Sequence, residues 1–206
     1  ADMLAVRPGG APANVAVALA RQGVPAALCA VVGQDPFGER LLAVLDANEV
    51  DRSRVRRTAD ADTTLAFAWK DVRGDGHFRL LRQADILLND DDVDRAGIAE
   101  TTAIVVGSVA LSGEPSRSAI ERAVRRANEA GAPVCFDVNM RPTLWPDRAT
   151  AQRACAPILA GTTILKLSLD DARFLRDLDP DDEVGAVFEA FSGYGCASIV
   201  LTDGAR

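Results

Sequence analysis

Near its N-terminus the chain reads Gly9-Gly10-Ala11-Pro12-Ala13-Asn14-Val15-Ala16, which places a flexible turn directly before a predicted helix over residues 12–22. Glycines let a backbone approach a ligand closely and adopt positive φ without strain from a Cβ atom. Pro12 suits the first helical turn, where its missing N–H costs nothing. Asn14 carries an amide in the same turn. The pattern predicts either a ligand-holding loop or an ordinary glycine-proline loop that caps a helix.

Beyond this turn, apolar runs alternate with helical patterns. The predicted strands cover residues 25–33, 103–110, 133–139, 163–168 and 198–202, and the further predicted helices cover residues 35–48, 115–130, 147–160 and 181–192. Repeated βα units of this kind predict a mostly parallel sheet covered by helices. Ligands of such sheets bind at the carboxyl ends of the strands. Polar side chains follow these strands: Ser108, Asp137, Asn139, Lys166, Ser168 and Thr202.

One segment departs from this alternation of helices and strands. Residues 63–70 and 77–82 alternate small, apolar and aromatic side chains on either side of Asp75-Gly76. Such alternation around an Asp-Gly turn predicts a β-hairpin. We expect the hairpin, over about residues 63–82, to project from the main sheet as a small lid.

Composition limits the classes of function. The 206 residues carry a formal net charge of −7, which argues against a nucleic-acid partner because the phosphate backbone is best met by a basic face. No stretch approaches the roughly 20 apolar residues that span a bilayer, and the N-terminus lacks the charge order of a signal peptide. A cytoplasmic protein without a membrane partner is expected. The four widely spaced cysteines predict core thiols, not metal ligands or disulfides.

The segment from Phe136 to Trp145 combines an apolar strand with polar residues at its end. Its alternation is expected to point a carboxylate, an amide and a guanidinium toward one cleft. Arg141 could screen the charge of a transferring phosphoryl group, and Asn139 could hydrogen-bond phosphate or substrate. Alternatively, Asp137 and Arg141 form a structural ion pair.

The next predicted strand ends in Lys166 and Ser168, and Asp171 follows three residues after Ser168. The structural interpretation is a helix start with Ser168 as the N-cap and acidic residues in the first turn. The last predicted strand, residues 198–202, runs into Thr202-Asp203-Gly204. That tripeptide alone is a weak signal, and it gains weight from its position after the other segments.

Taken in order, these segments resemble the signatures of the ribokinase/PfkB carbohydrate kinases. The block from Asp137 to Trp145 is most similar to that of bacterial fructokinases, with 2-keto-3-deoxygluconate kinases next. The resemblance implies an α/β fold, namely a three-layer α/β/α ribokinase-like core with a mostly parallel sheet and a small β lid, forming a single domain over residues 1–206. It also implies transfer of the γ-phosphoryl group of ATP to a sugar hydroxyl, with Mg²⁺.

The resemblance assigns roles to residues of this chain. It implies substrate binding by Asp2, Gly9, Gly10, Asn14, Arg82 and Asn139, nucleotide binding by Lys166, Ser168, Thr202 and Gly204, phosphate electrostatics by Arg141, and a metal contact by Asp171. The family normally carries Glu, which acts on the metal-bound phosphates through water, where this chain has the shorter Asp171.

The chain departs from the family pattern at both ends. Only six residues, Met3 to Pro8, separate Asp2 from Gly9, which indicates a deletion or an omitted loop near Met3–Arg7. Family members carry a Gly-Ala-Gly-Asp segment after Thr-x-Gly, and its Asp is the catalytic base. Arg206 precedes any such segment, so we expect the C-terminal part of the domain, with the base, to be missing here.

Fructose is the expected substrate. Ribokinases usually have Lys where this chain has Ala11, and the predicted lid lacks tyrosine, since the single one is Tyr194. A 2-keto-3-deoxy sugar acid is the alternative substrate, with Arg82 and Arg141 available for its carboxylate. A non-catalytic sugar-binding protein is the alternative from another class. The exposed strand edges of the lid could also pair two chains into a homodimer.

Overall fold

The structure is a computed structural model that describes residues 5–70, 76–179 and 184–203. The chain divides into two compact units, Ala1–Leu88 and Asn89–Arg206, called here the N-terminal unit and the C-terminal unit. Within the described ranges, no helix combines the length and the apolar character needed to cross a bilayer.

The N-terminal unit contains two helices, two short parallel strands and a hairpin. Its elements are α1 (Ala11–Arg21), β1 (Ala30–Gly33), α2 (Pro36–Ala47), β2 (Val55–Thr58), β3 (Leu65–Lys70), β4 (Gly76–Leu81) and a 3₁₀ turn (Ala84–Leu87). Strand β1 pairs with β2 in parallel. Apolar side chains from α1, α2 and the strands form its core around Ala16, Leu45 and Val50.

The predicted strand over residues 25–33 is too long, because only residues 30–33 form the ladder with β2. A single bridge joins Ala27 to Asp51, whereas Ala30 is paired with Val55. The partner segment therefore has one residue more than the first strand between these two pairs, and an extra residue interrupts a ladder as a bulge does. The sequence did not predict β2, whose Arg56 and Arg57 break the apolar pattern.

Asp35 joins three parts of the N-terminal unit. Its Oδ1 accepts the N–H groups of Phe37 and Gly38 at 2.9 Å each and so caps α2. Its Oδ2 accepts the N–H of Thr63 at 2.6 Å, and Oγ1 of Thr63 accepts the N–H of Gly33 at 3.0 Å. The end of β1, the start of α2 and the segment that enters the lid are thereby held together.

The hairpin prediction is confirmed, since β3 and β4 are antiparallel. Trp69 lies opposite His77, and their rings stack with centroids 5.6 Å apart. Large apolar side chains of both strands are exposed, including Trp69 at 50% and Phe78 at 54%. The sequence predicts the turn at Asp75-Gly76, but Gly76 is the first residue of β4 and is paired with Lys70, and Asp75 lies outside the described residues.

The C-terminal unit is built on one four-stranded parallel sheet. Its elements are α3 (Asp90–Asp94), β5 (Ile104–Gly107), α4 (Ser116–Ala130), β6 (Val134–Asp137), α5 (Arg148–Ala160), β7 (Ile164–Ser168), α6 (Leu169–Arg176), α7 (Val184–Ser192) and β8 (Ser198–Thr202). The strands lie side by side in the order β5-β6-β7-β8, all parallel. Phe136, Leu165 and Leu167 are fully buried in its core. The α/β class with a mostly parallel sheet is confirmed.

Two predicted strands of this unit end earlier than expected. Strand β5 stops at Gly107 because Ser108 has helical backbone angles and a 3₁₀ turn follows over Val109–Ser112. Strand β6 stops at Asp137, and Asn139 has a left-handed φ of 39°, so the chain leaves the sheet there. The predicted helix over residues 181–192 is described from Val184 onward. The other helix boundaries agree within one residue.

Candidate functional site

The predicted glycine loop forms the start of α1. Gly10 is the N-cap residue, and its φ of 107° is a value that residues with a Cβ rarely adopt. The N–H of Asn14 donates to the carbonyl of Gly10 at 2.9 Å and closes the first turn. Gly9, Gly10 and Asn14 are all exposed. The structure thus brings these three predicted sugar contacts together on the surface of the N-terminal unit, whereas Asp2 lies outside the described residues.

Arg82, the fifth predicted sugar contact of this unit, follows β4 at the base of the lid. Its side chain is only 7% exposed, and its Nε donates to Oδ2 of Asp85 at 2.6 Å. Oδ1 of Asp85 also accepts the hydroxyl of Thr64 and the N–H of Gln83. One carboxylate therefore joins both strands of the lid at their base and orients the guanidinium. Sequence analysis missed Asp85, although an acid three residues after an Arg is a visible signal.

The polar residues predicted at the strand ends do lie along one edge of the four-stranded sheet. The register places Gly107 beside Asp137 and Asp137 beside Lys166. Ser168 is paired with Thr202. Because all four strands are parallel and neighbouring, their carboxyl ends share this edge, where ligands of α/β proteins bind.

Lys166 and Asp137 form an ion pair at this edge, with Nζ 3.0 Å from Oδ1. Both side chains are half-buried. Among the described residues the partner of Asp137 is thus Lys166 and not Arg141, so the ion pair considered from the sequence is made by another cation. Its effect is that the Asp137 carboxylate adds little net negative charge where an anionic ligand would approach.

The turn after β6 carries the predicted amide and guanidinium side by side. Nη1 of Arg141 donates to the side-chain Oδ1 of Asn139 at 2.9 Å and to the carbonyls of Asn139 and Met140. The guanidinium therefore lies back on its own turn. A cation and an amide held in this way can together meet a phosphate or a polar substrate group.

The turn after β7 starts helix α6 with a capping box. Oγ of Ser168 accepts the N–H of Asp171 at 3.0 Å, and Oδ2 of Asp171 accepts the N–H of Ser168 at 2.9 Å. Oδ1 of Asp171 accepts the N–H of Met140, from the neighbouring turn, at 2.8 Å. The helix-cap interpretation of this segment is confirmed. No pattern along the chain predicts the bond to Met140, which lies 31 residues away.

Two further hydroxyls lie at the same edge. Oγ1 of Thr202 reaches the carbonyl of Leu167 at 3.5 Å. Ser108 is 1% exposed, and its Oγ has no hydrogen-bond partner among the described residues. Such a hydroxyl is costly unless a ligand or a water meets it. Gly204, the last predicted nucleotide contact, lies outside the described residues.

The side chains at this edge determine whether a metal ion could bind here. Within the described part of the chain, no group of three His, Cys, Asp or Glu side chains could hold one. Mg²⁺ is commonly held by one or two carboxylates, substrate phosphates and several retained waters. The carboxylate of Asp171 uses two acceptor positions for N–H groups and has further lone pairs for a water. The residues therefore fit an ion delivered with a nucleotide, and they do not form a dedicated metal cage.

Comparison with known proteins places this geometry in a family. The model described as pfkB family carbohydrate kinase matches residues 2–206. Fructokinase-1 of Oryza sativa subsp. japonica is 40% identical over 180 residues, a match that covers 86% of this chain and 56% of that protein. Fructokinase-1 of Zea mays is 39% identical with the same coverage. The chain thus spans little more than half the length of these curated relatives.

Solved structures agree with this assignment. The fructokinase of Xylella fastidiosa superimposes with a TM-score of 0.81 at 29% identity, covering 96% of this chain and 64% of that one. The apo fructokinase of Vibrio cholerae O395 gives a TM-score of 0.83 at 28% identity, covering 97% and 68%. The Xylella protein has also been solved with bound ATP, and the Vibrio protein with fructose, ADP and a calcium ion. The chain therefore belongs to the pfkB family of carbohydrate kinases.

Proposed function

We propose that the protein transfers the γ-phosphoryl group of ATP to a hydroxyl of fructose, with Mg²⁺, and that its two units act as one kinase domain. The observation that carries this proposal is the meeting of three polar segments at one sheet edge: the Asp137–Lys166 pair, the turn Asn139–Arg141 and the Ser168–Asp171 box. Fructokinases that bind ATP, ADP and fructose share the family and the fold.

In this proposal the residues of the C-terminal unit act on the phosphates. Arg141 and Lys166 supply positive charge, which is worth most where negative charge develops during transfer. Asn139 adds an amide for hydrogen bonding to phosphate or substrate. Ser168, Thr202 and Gly204 face the nucleotide. A magnesium ion, reached by Asp171 through water, would supply further positive charge to the phosphate oxygens.

The residues of the N-terminal unit bind and orient the sugar. Asp2, Gly9, Gly10 and Asn14 would meet its hydroxyls, and Arg82 would contact it from the lid. In the transfer, a sugar oxygen forms a bond to the γ-phosphorus, the bond between that phosphorus and the bridging oxygen breaks, and the hydroxyl proton passes to a base. We assign that base to none of the described residues.

Fructose is preferred to a sugar acid for a physical reason. A 2-keto-3-deoxy sugar acid needs an available cation for its carboxylate. Of the two considered, Arg141 is assigned to the phosphates in this proposal, and Arg82 is already paired with Asp85. A neutral sugar needs only hydrogen bonds from the same guanidinium. The pairing therefore supports fructose as the substrate.

The test is an ADP-release assay on the complete protein with fructose, 2-keto-3-deoxygluconate, ribose and glucose. Fructose should give the highest kcat/KM.

Arg141→Met should lower kcat by about 10²- to 10³-fold, the usual cost of one lost electrostatic contact to the transition state. Arg153→Met is the matched control, because Arg153 is exposed on α5 and its guanidinium donates to Thr150 of the same helix. ADP release with 2-keto-3-deoxygluconate and none with fructose would identify the sugar acid as the substrate. Saturable sugar binding without ADP release would indicate a non-catalytic binding protein.

We also propose that the lid pairs two chains into a homodimer. Phe67, Trp69 and Leu81 are exposed and belong to one face of the hairpin by its register. An isolated two-stranded hairpin is marginally stable in water, and a second copy would cover this face. Trp69→Glu should halve the mass of the complete protein in sedimentation, whereas Val24→Glu, at an exposed apolar position outside the lid, should not. An unchanged mass in Trp69→Glu would exclude this contact.

A cytoplasmic location completes the proposal. Cys29, Cys135, Cys155 and Cys196 are all free thiols. Thiols persist in the reducing cytoplasm, whereas disulfides are typical of secreted proteins. Cell fractionation with an antibody to the protein would test it.

A further inference from the structure

We infer that Asp171 is a positioning residue, which holds the turn Asn139–Arg141 in the geometry that phosphoryl transfer requires. This inference rests on the proposed function and concerns the same site. It adds to the proposed water-mediated metal contact, because the carboxylate acts here through two backbone N–H groups of its own chain.

The carboxylate of Asp171 first of all accepts hydrogen bonds from two turns. Asp171 is 7% exposed, and its two oxygens accept from different turns, Oδ1 from Met140 and Oδ2 from Ser168. A charged acceptor forms stronger hydrogen bonds than a neutral one. The turns after β6 and β7 are therefore tied to one side chain.

The turn that this carboxylate holds is also strained. Asn139 has a φ of 39°, a left-handed value that costs free energy for any residue with a Cβ atom, although Asn tolerates it better than most. Met140, the next residue, is buried, and its N–H donates a hydrogen bond to Asp171. This bond thus fixes the backbone directly after the strained residue.

This backbone is connected to the side chains of the site. Nη1 of Arg141 donates to the carbonyls of Asn139 and Met140 and to the amide oxygen of Asn139. The positions of the Arg141 guanidinium and the Asn139 amide thus both depend on the backbone of the turn. A shift of the turn would therefore move both, and a displacement of about 1 Å can cost about 100-fold in rate.

Asp171→Asn tests the inference in the complete protein. The amide has one acceptor oxygen, so whichever way it is turned, its NH₂ group faces one of the two N–H donors and a hydrogen bond is lost. We expect kcat with fructose to fall about 10- to 100-fold and to stay low at saturating Mg²⁺, because added metal cannot restore the lost bond to the turn. Amide exchange at Met140 should become faster.

Asp147→Asn is the matched control. Asp147 also caps a helix of this unit, accepting the N–H of Thr150 at 2.6 Å, and it has no bond to the turn of Asn139. We expect this variant to keep the wild-type kcat. A comparable loss in both variants would mean that any weakened cap lowers activity, and it would overturn the inference.

Other outcomes also decide the matter. A raised Mg²⁺ activation constant, with kcat fully restored at saturating Mg²⁺, would assign the effect of Asp171 to the metal contact alone and overturn the inference. A lowered melting temperature with unchanged kcat would leave it a purely structural role. If Asp171→Asn does not fold, exchange in the wild type decides, since an unprotected Met140 amide would refute the bond. A wild type that phosphorylates no sugar would instead refute the proposed function, and the exchange measurement would still test the contact.

Discussion

Lys166 and Asp137 lie directly across from each other in neighbouring strands, with the ammonium 3.0 Å from a carboxylate oxygen. The pair gives Lys166 two roles, namely neutralising Asp137 and meeting nucleotide phosphates in the proposed reaction. A double-mutant cycle separates them. Lys166→Met leaves the half-buried Asp137 without its partner, and adding Asp137→Asn removes the uncompensated charge.

We expect the double variant to be more stable than Lys166→Met in denaturant unfolding, with a coupling free energy of about 0.5 kcal/mol for a partly exposed pair. The KM for ATP should stay raised in both variants, because neither has the cation. If the changes in unfolding free energy of the two single variants simply added up in the double variant, the ion pair would contribute nothing to stability. An ATP KM restored in the double variant would mean that Lys166 serves only Asp137.

Gly33 and Gly38 are predicted to be irreplaceable for steric reasons. A Cβ at Gly38 would lie 2.3 Å from the carbonyl oxygen of Gly33, and one at Gly33 would lie 2.6 Å from the backbone N of Thr63. Gly38→Ala and Gly33→Ala should each lower the free energy of unfolding by about 1–3 kcal/mol, the usual cost of overpacking. Denaturant unfolding measures the loss.

Gly185→Ala is the control for these substitutions. Gly185 lies in α7, and a Cβ there would have no contact within 4 Å among the residues that the structure describes. Alanine favours a helix over glycine by up to about 1 kcal/mol, so this variant should match or exceed the wild type in stability. A destabilised Gly185→Ala beside an unaffected Gly38→Ala would show the steric argument to be wrong.

Elements with a local signal were predictable from the sequence. The lid follows from alternation around Asp75-Gly76, and the helices follow from their period and caps. Strand β2 was not predicted, because Arg56 and Arg57 interrupt its apolar pattern. The bulge between Asp51 and Val55 depends on the register with the segment Ala27–Ala30, which no local pattern encodes.

The candidate site was predictable as a set of residues but not as a set of contacts. Parallel strands place their polar ends at one edge, so Asp137, Lys166 and Ser168 could be grouped in advance. Their partners depend on strand register. Lys166 stands beside Asp137, and Asp171 reaches Met140 because α6 starts without a loop at the end of β7. Three-dimensional neighbours of this kind leave no trace in spacing along the chain.

The stability of the fold should depend on pH through Asp35. Burial alone would raise the pKa of this carboxyl, but hydrogen bonds from Thr63, Gly38 and Phe37 outweigh it and hold the pKa below the ordinary value of 3.8. The native state therefore favours the ionised form more than the unfolded state does. This contribution is fully present above the unfolded pKa and is lost as the pH falls through the folded one.

Acidification from about pH 6 to pH 3 should accordingly lower the unfolding free energy of the wild type more steeply than that of Asp35→Asn. Asparagine can still cap α2 but has no charge to lose, and it gives up one of the bonds from Thr63 or the cap. Denaturant unfolding across this range measures both slopes. Parallel slopes for the two proteins would contradict the assignment of this pH dependence to Asp35.

Cys155 should be the thiol that reacts last. Burial in α5 raises its pKa to about 12, and the charge of Asp171 adds to the effect. Since the thiolate is the reactive form, its alkylation at neutral pH should be at least about 100-fold slower than that of a free cysteine. Cys29, Cys135 and Cys196 are only partly buried, so pulsed iodoacetamide labelling with peptide mass spectrometry should modify them first.

The rate at which Cys155 is labelled, measured at increasing denaturant concentration, should report the opening of the C-terminal unit. The Cys155 side chain is inaccessible while α5 stays packed, so modification should require opening of the C-terminal unit, and its rate should rise in step with unfolding. Cys196, near the start of β8, provides an internal reference that is less dependent on opening. If native Cys155 were labelled as fast as Cys196, α5 would open locally in the native state. The hydrogen bond between Asp171 and Met140 would then lie beside a helix that opens without global unfolding.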